Sequence, residues 1–246
     1  MRILLLGGTT EAMALLVALA SVPHVTPILS LAGRTRAPDL PPTAYRLGGF
    51  GGVDGLRAYL RAEAIDRVID ATHPFAEQMT RNAVAACEGA GIPLARFTRP
   101  PWSAQPGDIW QRVATMPDAA RALGTPPRRV FLTIGRLQVA AFEAAPQHAY
   151  LLRIIDPPDP LPALPHLRLL PARGPFTEAA DRDLMQRERI EVLVSKNSGG
   201  AATYGKIAAA RSLGLTVIMV AAPPDPSLRQ FHDLAAVLDW LHRPAP

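Results

Sequence analysis

Met1-Arg2-Ile3-Leu4-Leu5-Leu6-Gly7-Gly8-Thr9-Thr10-Glu11-Ala12 opens the chain, and the fold is read outward from it. The apolar run from Arg2 to Leu6 has no polar alternation. A strand built from it is covered on both faces, as in a parallel sheet flanked by helices. The run stops at Gly7-Gly8, and Glu11 to Ala20 continues at helical spacing. Backbone N–H groups at such a helix start, with the helix dipole behind them, bind phosphate well. Glycine lets the backbone approach a pyrophosphate, while Thr9 or Thr10 can cap the helix or donate to a phosphate oxygen. The turn departs from the G-x-G-x-x-G fingerprint, so a plain capped helix after a tight turn stays open as the alternative.

The same alternation runs on. Strands are expected at Thr26 to Leu31, Tyr45 to Leu47, Arg67 to Ala71 and Ile92 to Arg96, with helices at Asp54 to Glu63 and Phe75 to Glu88. A proline-rich stretch from Arg99 to Asp108 marks a crossing between halves. Beyond it, strands are expected at Arg129 to Thr133, Tyr150 to Ile155, Glu191 to Ser195 and Thr216 to Val220. Helices are expected at Leu137 to Ala144, Glu178 to Arg187, Ala202 to Leu213 and Leu228 to Leu241. This pattern predicts an α/β protein of two Rossmann-like, doubly wound domains with largely parallel sheets, residues 1–100 and 101–246. No repeat at a fixed period is visible.

Composition narrows the function classes. With 48% apolar and 19% charged residues in 246, the chain suits a globular protein whose halves each bury a core. The first apolar run is too short for a signal-peptide core and no stretch spans a bilayer, so a cytoplasmic protein is expected. Cys87 is the only cysteine, which rules out an intrachain disulfide, and a half-buried helical position is expected for it. The six histidines are scattered without a metal-ligand motif, and no G-x-S-x-G elbow appears, so neither a metal site nor a serine hydrolase is expected. A net charge of +5 favours an anionic ligand. Nucleic acid is disfavoured, because there is neither a basic run nor an aromatic stacking motif.

Further candidates sit at strand ends, where ligands bind in open α/β sheets. Ser30-Leu31-Ala32-Gly33-Arg34-Thr35 lacks the acid that holds ribose hydroxyls in NAD-selective sites; Ser30, Arg34 and Thr35 suit the 2′-phosphate of NADPH instead. Gly48-Gly49-Phe50-Gly51-Gly52 suggests backbone close to a ligand at Gly51, or a flexible turn. In Thr72-His73-Pro74-Phe75-Ala76, His73 either donates to a cofactor or substrate, acts as a proton donor, or packs at the helix start. Thr133-Ile134-Gly135-Arg136 and Ser195-Lys196-Asn197-Ser198-Gly199-Gly200 suit carboxylates or a phosphate, and Arg173 is a further candidate for an anionic substrate. Lys206 reads as a solvent-facing helical lysine. Tyr204-Gly205-Lys206 has the wrong spacing for the Tyr-x-x-x-Lys pair of short-chain dehydrogenases.

In this order GGTTEA (7–12), SLAGRT (30–35), GGFGG (48–52), THPFA (72–76), TIGR (133–136) and KNSGG (196–200) resemble the precorrin-6A reductase family, and the resemblance spans nearly the whole chain. That family uses NADPH to reduce one C=C bond of the precorrin-6A macrocycle, giving precorrin-6B in cobalamin biosynthesis. Its relatives act on the cobalt-containing equivalent. The resemblance implies that Gly8, Thr9, Glu11, Ser30, Arg34 and Thr35 hold the nucleotide, with Gly7, Thr10, Gly33 and Gly51 beside them and His73 near the nicotinamide. It implies that Thr133, Arg136, Lys196, Asn197 and Ser198 face the tetrapyrrole. No proton donor is singled out, His73 and Lys196 being the candidates. A monomer or weak oligomer is expected, with no nucleic-acid or membrane partner. Two other readings stay open: an NADP-dependent reductase or nucleotide-sugar epimerase sharing the first half only, and a non-catalytic NADPH-sensing protein.

Overall fold

The computed structural model describes residues 1–33, 44–223 and 228–243. The chain divides into two compact units, Met1–Pro100 with Pro223–Pro246, and Pro101–Ala222. Unit 1 runs β1 (Arg2–Leu6), α1 (Thr10–Ala20), β2 (Thr26–Leu31), β3 (Tyr45–Leu47), α2 (Gly52–Ala62), β4 (Arg67–Asp70), α3 (Glu77–Glu88) and β5 (Leu94–Phe97). β1 is central, pairing in parallel with β2 on one side and β4 on the other. Its side chains alternate between two cores. Ile3 and Leu5 pack with Leu15, Leu19 and Ile69 on one face, while Leu4 and Leu6 pack with Leu56, Leu60 and Val68 on the other. Burial of each such side chain contributes roughly 1.5–3 kcal/mol, and two-faced burial is why the run shows no alternation. Cys87 lies in the second core at 2% exposure, deeper than expected, and burial pushes its thiol up to about 12.

Unit 2 runs β6 (Ile109–Val113), α4 (Met116–Ala122), β7 (Arg129–Thr133), a 3₁₀ segment (Arg136–Ala144), β8 (Ala149–Ile154), β9 (Leu167–Pro171), α5 (Glu178–Arg187), β10 (Val192–Lys196), α6 (Gly205–Ser212) and β11 (Thr216–Val220). β6, α4 and β9 are additions to the expected elements. β6 and β9 are edge strands, and their mixed burial hides the apolar pattern that marks a central strand. Arg136–Ala144 is a 3₁₀ segment rather than an α-helix, starting from Gly135 with no side-chain cap.

The chain then returns to unit 1 with β12 (Arg229–Phe231) and α7 (Leu234–His242), which corrects both the expected helix from Leu228 and the assignment of the last residues to the second domain. β12 pairs in parallel with β5, and the Asp233 carboxylate caps α7 by accepting from the Ala236 N–H at 2.8 Å. At the other end of α7, the Arg67 guanidinium donates to the carbonyls of Trp240 and Arg243.

The two six-stranded sheets are parallel throughout. Unit 1 has the order β3-β2-β1-β4-β5-β12, and unit 2 repeats the first five places as β9-β8-β7-β10-β11, with its first strand, β6, in the sixth. Strand order therefore reverses between β1 and β4 and again between β7 and β10, the positions where doubly wound sheets bind ligands beyond their carboxyl ends.

His148, at the opposite end of β8, is fully buried, and its Nδ1 accepts the Arg128 N–H at 3.2 Å. Burial holds the ring below the ordinary histidine value. The unfolded chain thus binds this proton more readily, so the associated stability is present above about pH 6.5 and is lost as pH falls through the lower folded value. We predict a thermal midpoint that drops between about pH 7 and pH 5, with a shallower drop in His148→Gln. The same slope in both proteins would remove His148 from the acid response.

Candidate functional site

The turn after β1 is built around a glycine that no side chain could replace without strain. Gly8 has φ of +114°, and a Cβ there would meet nothing within 4 Å, so the backbone faces open space. Gly7 N–H donates to Ser30 O at 2.9 Å, tying the turn to the end of β2. Thr9 caps α1, accepting from Ala12 N–H at 3.1 Å, and its hydroxyl donates to Ala71 O at 2.7 Å. Its one proton is therefore committed to the end of β4, and Thr9 joins two turns instead of reaching outward. Glu11 is paired with Arg99 at 2.7 Å. Of the two threonines, Thr10 is the exposed one, donating to Glu11 Oε2 at 3.1 Å.

At the β2–β3 edge, Ser30 is buried and lies in register with Arg46. Arg46 Nη1 donates to Ser30 Oγ and Gly48 O, both at 2.9 Å, and Nη2 donates to Gly49 O at 2.8 Å. Gly33 and Gly48 approach each other here, a Cβ on Gly33 falling 3.6 Å from Gly48 N. Gly51 is left-handed and forms the N-cap of α2 without a side-chain bond. Arg34 and Thr35 lie outside the described residues.

The β4–α3 turn is pinned from several sides. Asp70, fully buried, accepts from Thr72 N–H at 3.0 Å, Thr72 Oγ1 at 2.6 Å and Thr80 Oγ1 at 2.6 Å. The buried Arg96 guanidinium donates to Pro74 O at 3.2 Å. His73 Nδ1 accepts Phe75 N–H at 3.2 Å, so the neutral ring carries its proton on Nε2. Asp70, Arg96 and Arg46 escaped the motif reading. Asp70 and Arg46 stand two residues before their turns as strand residues, and sheet register adds the distant partners, Asp70 opposite Arg96 and Ser30 opposite Arg46.

In unit 2, Thr133 ends β7 and Arg136 follows it, while Lys196 ends β10 and Asn197 and Ser198 follow, so these five flank the strand reversal. Thr133 Oγ1 donates to Val194 O at 3.0 Å. The Asn197 side chain is engaged at both ends, accepting from Trp102 N–H at 2.7 Å and donating to Trp102 O at 3.0 Å. The Trp102 indole in turn donates to Gly200 O at 2.9 Å, and Ser198 is buried. Lys206 corrects its expected solvent exposure: it is buried, with Nζ donating to Thr203 O at 2.9 Å and lying 5.0 Å from the Trp102 ring. Helical spacing could not reveal this, because Trp102 arrives from the start of the unit. Arg173 is exposed and follows edge strand β9, away from the reversal point. Among the described residues no group of three or more His, Cys, Asp or Glu side chains could hold a metal ion. No helix among them is long and apolar enough to cross a membrane.

Two doubly wound α/β units, the first with a glycine turn at its strand reversal, define the class of Rossmann-like proteins. The family described as "Precorrin-6x reductase CbiJ/CobK" matches residues 2–242, and the chain belongs to that family. It is 50% identical over 241 residues to the precorrin-6A reductase of Rhodococcus erythropolis, covering 98% of this chain and 97% of the relative. The cobalt-precorrin-6A reductase of Priestia megaterium is 29% identical over 232 residues, 90% of each chain. A solved structure of "CobK precorrin-6A reductase" superposes with a TM-score of 0.91 at 50% identity, covering 98% of this chain and 95% of the other.

Proposed function

We propose that this chain reduces one C=C bond of metal-free precorrin-6A with NADPH, giving precorrin-6B in cobalamin biosynthesis. The observation that carries this reading is half identity, across both units, to a relative named for the metal-free substrate, against 29% to one named for the cobalt form. NADPH supplies the hydride, and a proton from the medium or the protein completes the CH–CH product. The protein's part is binding and orientation.

In unit 1, the Gly7–Gly8 backbone and Thr10 would take the pyrophosphate at the start of α1, with Ser30, Gly33 and Gly51 toward the adenosine. Thr9 and Glu11 act as positioning residues through Ala71 and Arg99. His73, with Nε2–H as its donor, would stand beside the nicotinamide. In unit 2, Arg136, Lys196 and Arg173 are suited to the carboxylates of the tetrapyrrole rim, with Thr133 and Ser198 as neutral neighbours. Asn197 shapes the turn through Trp102.

Loss of NADPH absorbance on mixing with metal-free precorrin-6A tests the reading, with NADH and cobalt-precorrin-6A run in parallel. Rapid oxidation of NADPH by the metal-free substrate is expected. Turnover of the cobalt form alone would move the chain to the cobalt branch, and binding of NADPH without turnover of either would replace the enzyme with a sensing protein.

A further inference from the structure

The β2–β3 edge carries a cation whose counter-charge is not supplied by the described residues. None of the ion pairs among them involves Arg46. Its guanidinium carbon lies over the Phe50 ring, 3.8 Å from the centroid, and 5.3 Å from that of Tyr59. Three hydrogen bonds, to Ser30 Oγ, Gly48 O and Gly49 O, hold the fork in place. A guanidinium has five N–H donors; these bonds use both hydrogens on Nη1 and one on Nη2. Nε–H and the second Nη2 hydrogen remain for an acceptor outside the described residues. The carbonyls that Arg46 holds belong to the turn that opens α2, whose N-cap Gly51 offers no side-chain acceptor, so the helix start adds to the positive potential. Asp54 in the first turn is neutralised locally by Arg57 at 2.5 Å.

We infer that Arg46 is a specificity-determining residue, supplying the planar cation that takes the 2′-phosphate of the adenosine ribose. The inference rests on the NADPH reading above and adds the residue that makes the choice. Three features of the β2–β3 edge converge on it. The end of β2 is where dinucleotide-binding sheets discriminate at the ribose 2′ position, with an acid for a hydroxyl and an arginine for a phosphate. Ser30 occupies that position, and its hydroxyl is already an acceptor for Arg46, which leaves its own proton to donate to a phosphate oxygen. Stacking on Phe50 and the carbonyl bonds fix the fork before any ligand arrives, which lowers the ordering cost of a bidentate phosphate contact. The same bonds also make Arg46 the brace of the Gly48–Gly49 turn, so a bracing role and a phosphate role must be told apart.

Titration of the full-length protein with NADPH and NADH, followed by reduced-nicotinamide fluorescence, makes that distinction when 2′,5′-ADP and 5′-AMP are also tested as competitors that displace the bound NADPH. The wild-type chain should prefer NADPH and 2′,5′-ADP. In Arg46→Met, affinity for both 2′-phosphorylated ligands should fall roughly 10- to 100-fold, the worth of a charged hydrogen-bonded contact, while NADH and 5′-AMP change by no more than about twofold. Arg46→Lys, which keeps the charge and loses the fork, should fall between. Equal losses for phosphorylated and unphosphorylated ligands would reduce Arg46 to a brace and overturn the inference. So would an Arg46→Met protein that keeps the full NADPH preference. If the wild-type chain itself showed no preference, the NADPH reading would fail first and take the inference with it.

Discussion

Replacing Asp181 with alanine is expected to cost about 3–5 kcal/mol of stability, the largest loss we anticipate from any single side chain. Asp181 sits in the first turn of α5 with its side chain 2% exposed, and its partner Arg153, on β8, is 6% exposed. Arg153 reaches both carboxylate oxygens, and its guanidinium lies 5.0 Å from the Phe131 ring centroid and 3.7 Å from that of Phe176. Removing the carboxylate strands a cation that arginine cannot shed by deprotonation. The pair itself is another matter, since apolar replacement of both members of a buried ion pair is often neutral or stabilising. Arg153→Met combined with Asp181→Ala should therefore recover most of the loss, as read by urea unfolding. A single variant within about 1 kcal/mol of wild type would show that water reaches Arg153.

Gly55→Ala should destabilise unit 1 by about 3 kcal/mol or more. An ideal Cβ at Gly55 falls 1.7 Å from Phe50 O and 2.8 Å from Phe50 C, which are backbone atoms and cannot swing aside. Helix propensity alone predicts the opposite sign, a gain of about 1 kcal/mol inside α2. The measured sign thus decides between propensity and close approach. Displacing Phe50 also removes the surface on which Arg46 rests, so NADPH affinity should fall along with stability. Gly49→Ala is the matched control: its Cβ would meet nothing within 4 Å, and a change within about 0.5 kcal/mol is expected. A stabilised Gly55→Ala protein would mean that the turn and α2 are held less closely than the structure has them.

Central strands were the legible part of this fold. β1, β2, β7 and β11 follow the expected runs because two-faced burial writes itself into sequence as uninterrupted apolar residues. Edge strands carry no such mark, although the edge strand β3 falls where expected, at Tyr45–Leu47. β6 leaves Gln111 and Arg112 exposed and so shows no apolar run, and β12 lies directly before the apolar stretch of α7, so the sequence reads the two as one helix. Asp233, a capping residue ahead of the apolar stretch, was the signal that could have separated β12 from α7. The repeated strand order of the two units leaves no periodic trace, since topology constrains connections and not identities.

Site residues divide in the same way. Turns at the carboxyl ends of β1, β4, β7 and β10 were visible as glycines, hydroxyls and charges clustered after apolar runs. The roles inside those turns were not, because a hydroxyl or amide that looks available in sequence can be consumed by a neighbour. Thr9 donates to Ala71, Asn197 embraces Trp102, and Glu11 is held by Arg99. Residues that enter by register or from a distant segment, such as Arg96 and Trp102, have no local motif to announce them.

Transfer of label from NADPH deuterated at the reactive C4 position tests the central claim most directly, with the macrocyclic product read by mass spectrometry. Hydride transfer to precorrin-6A predicts a product carrying two additional hydrogen atoms, one of them deuterium from the cofactor and the other exchangeable with solvent during the reaction. Consumption of the cofactor with no deuterium in the macrocycle, or an unreduced macrocycle recovered after full incubation, would contradict it.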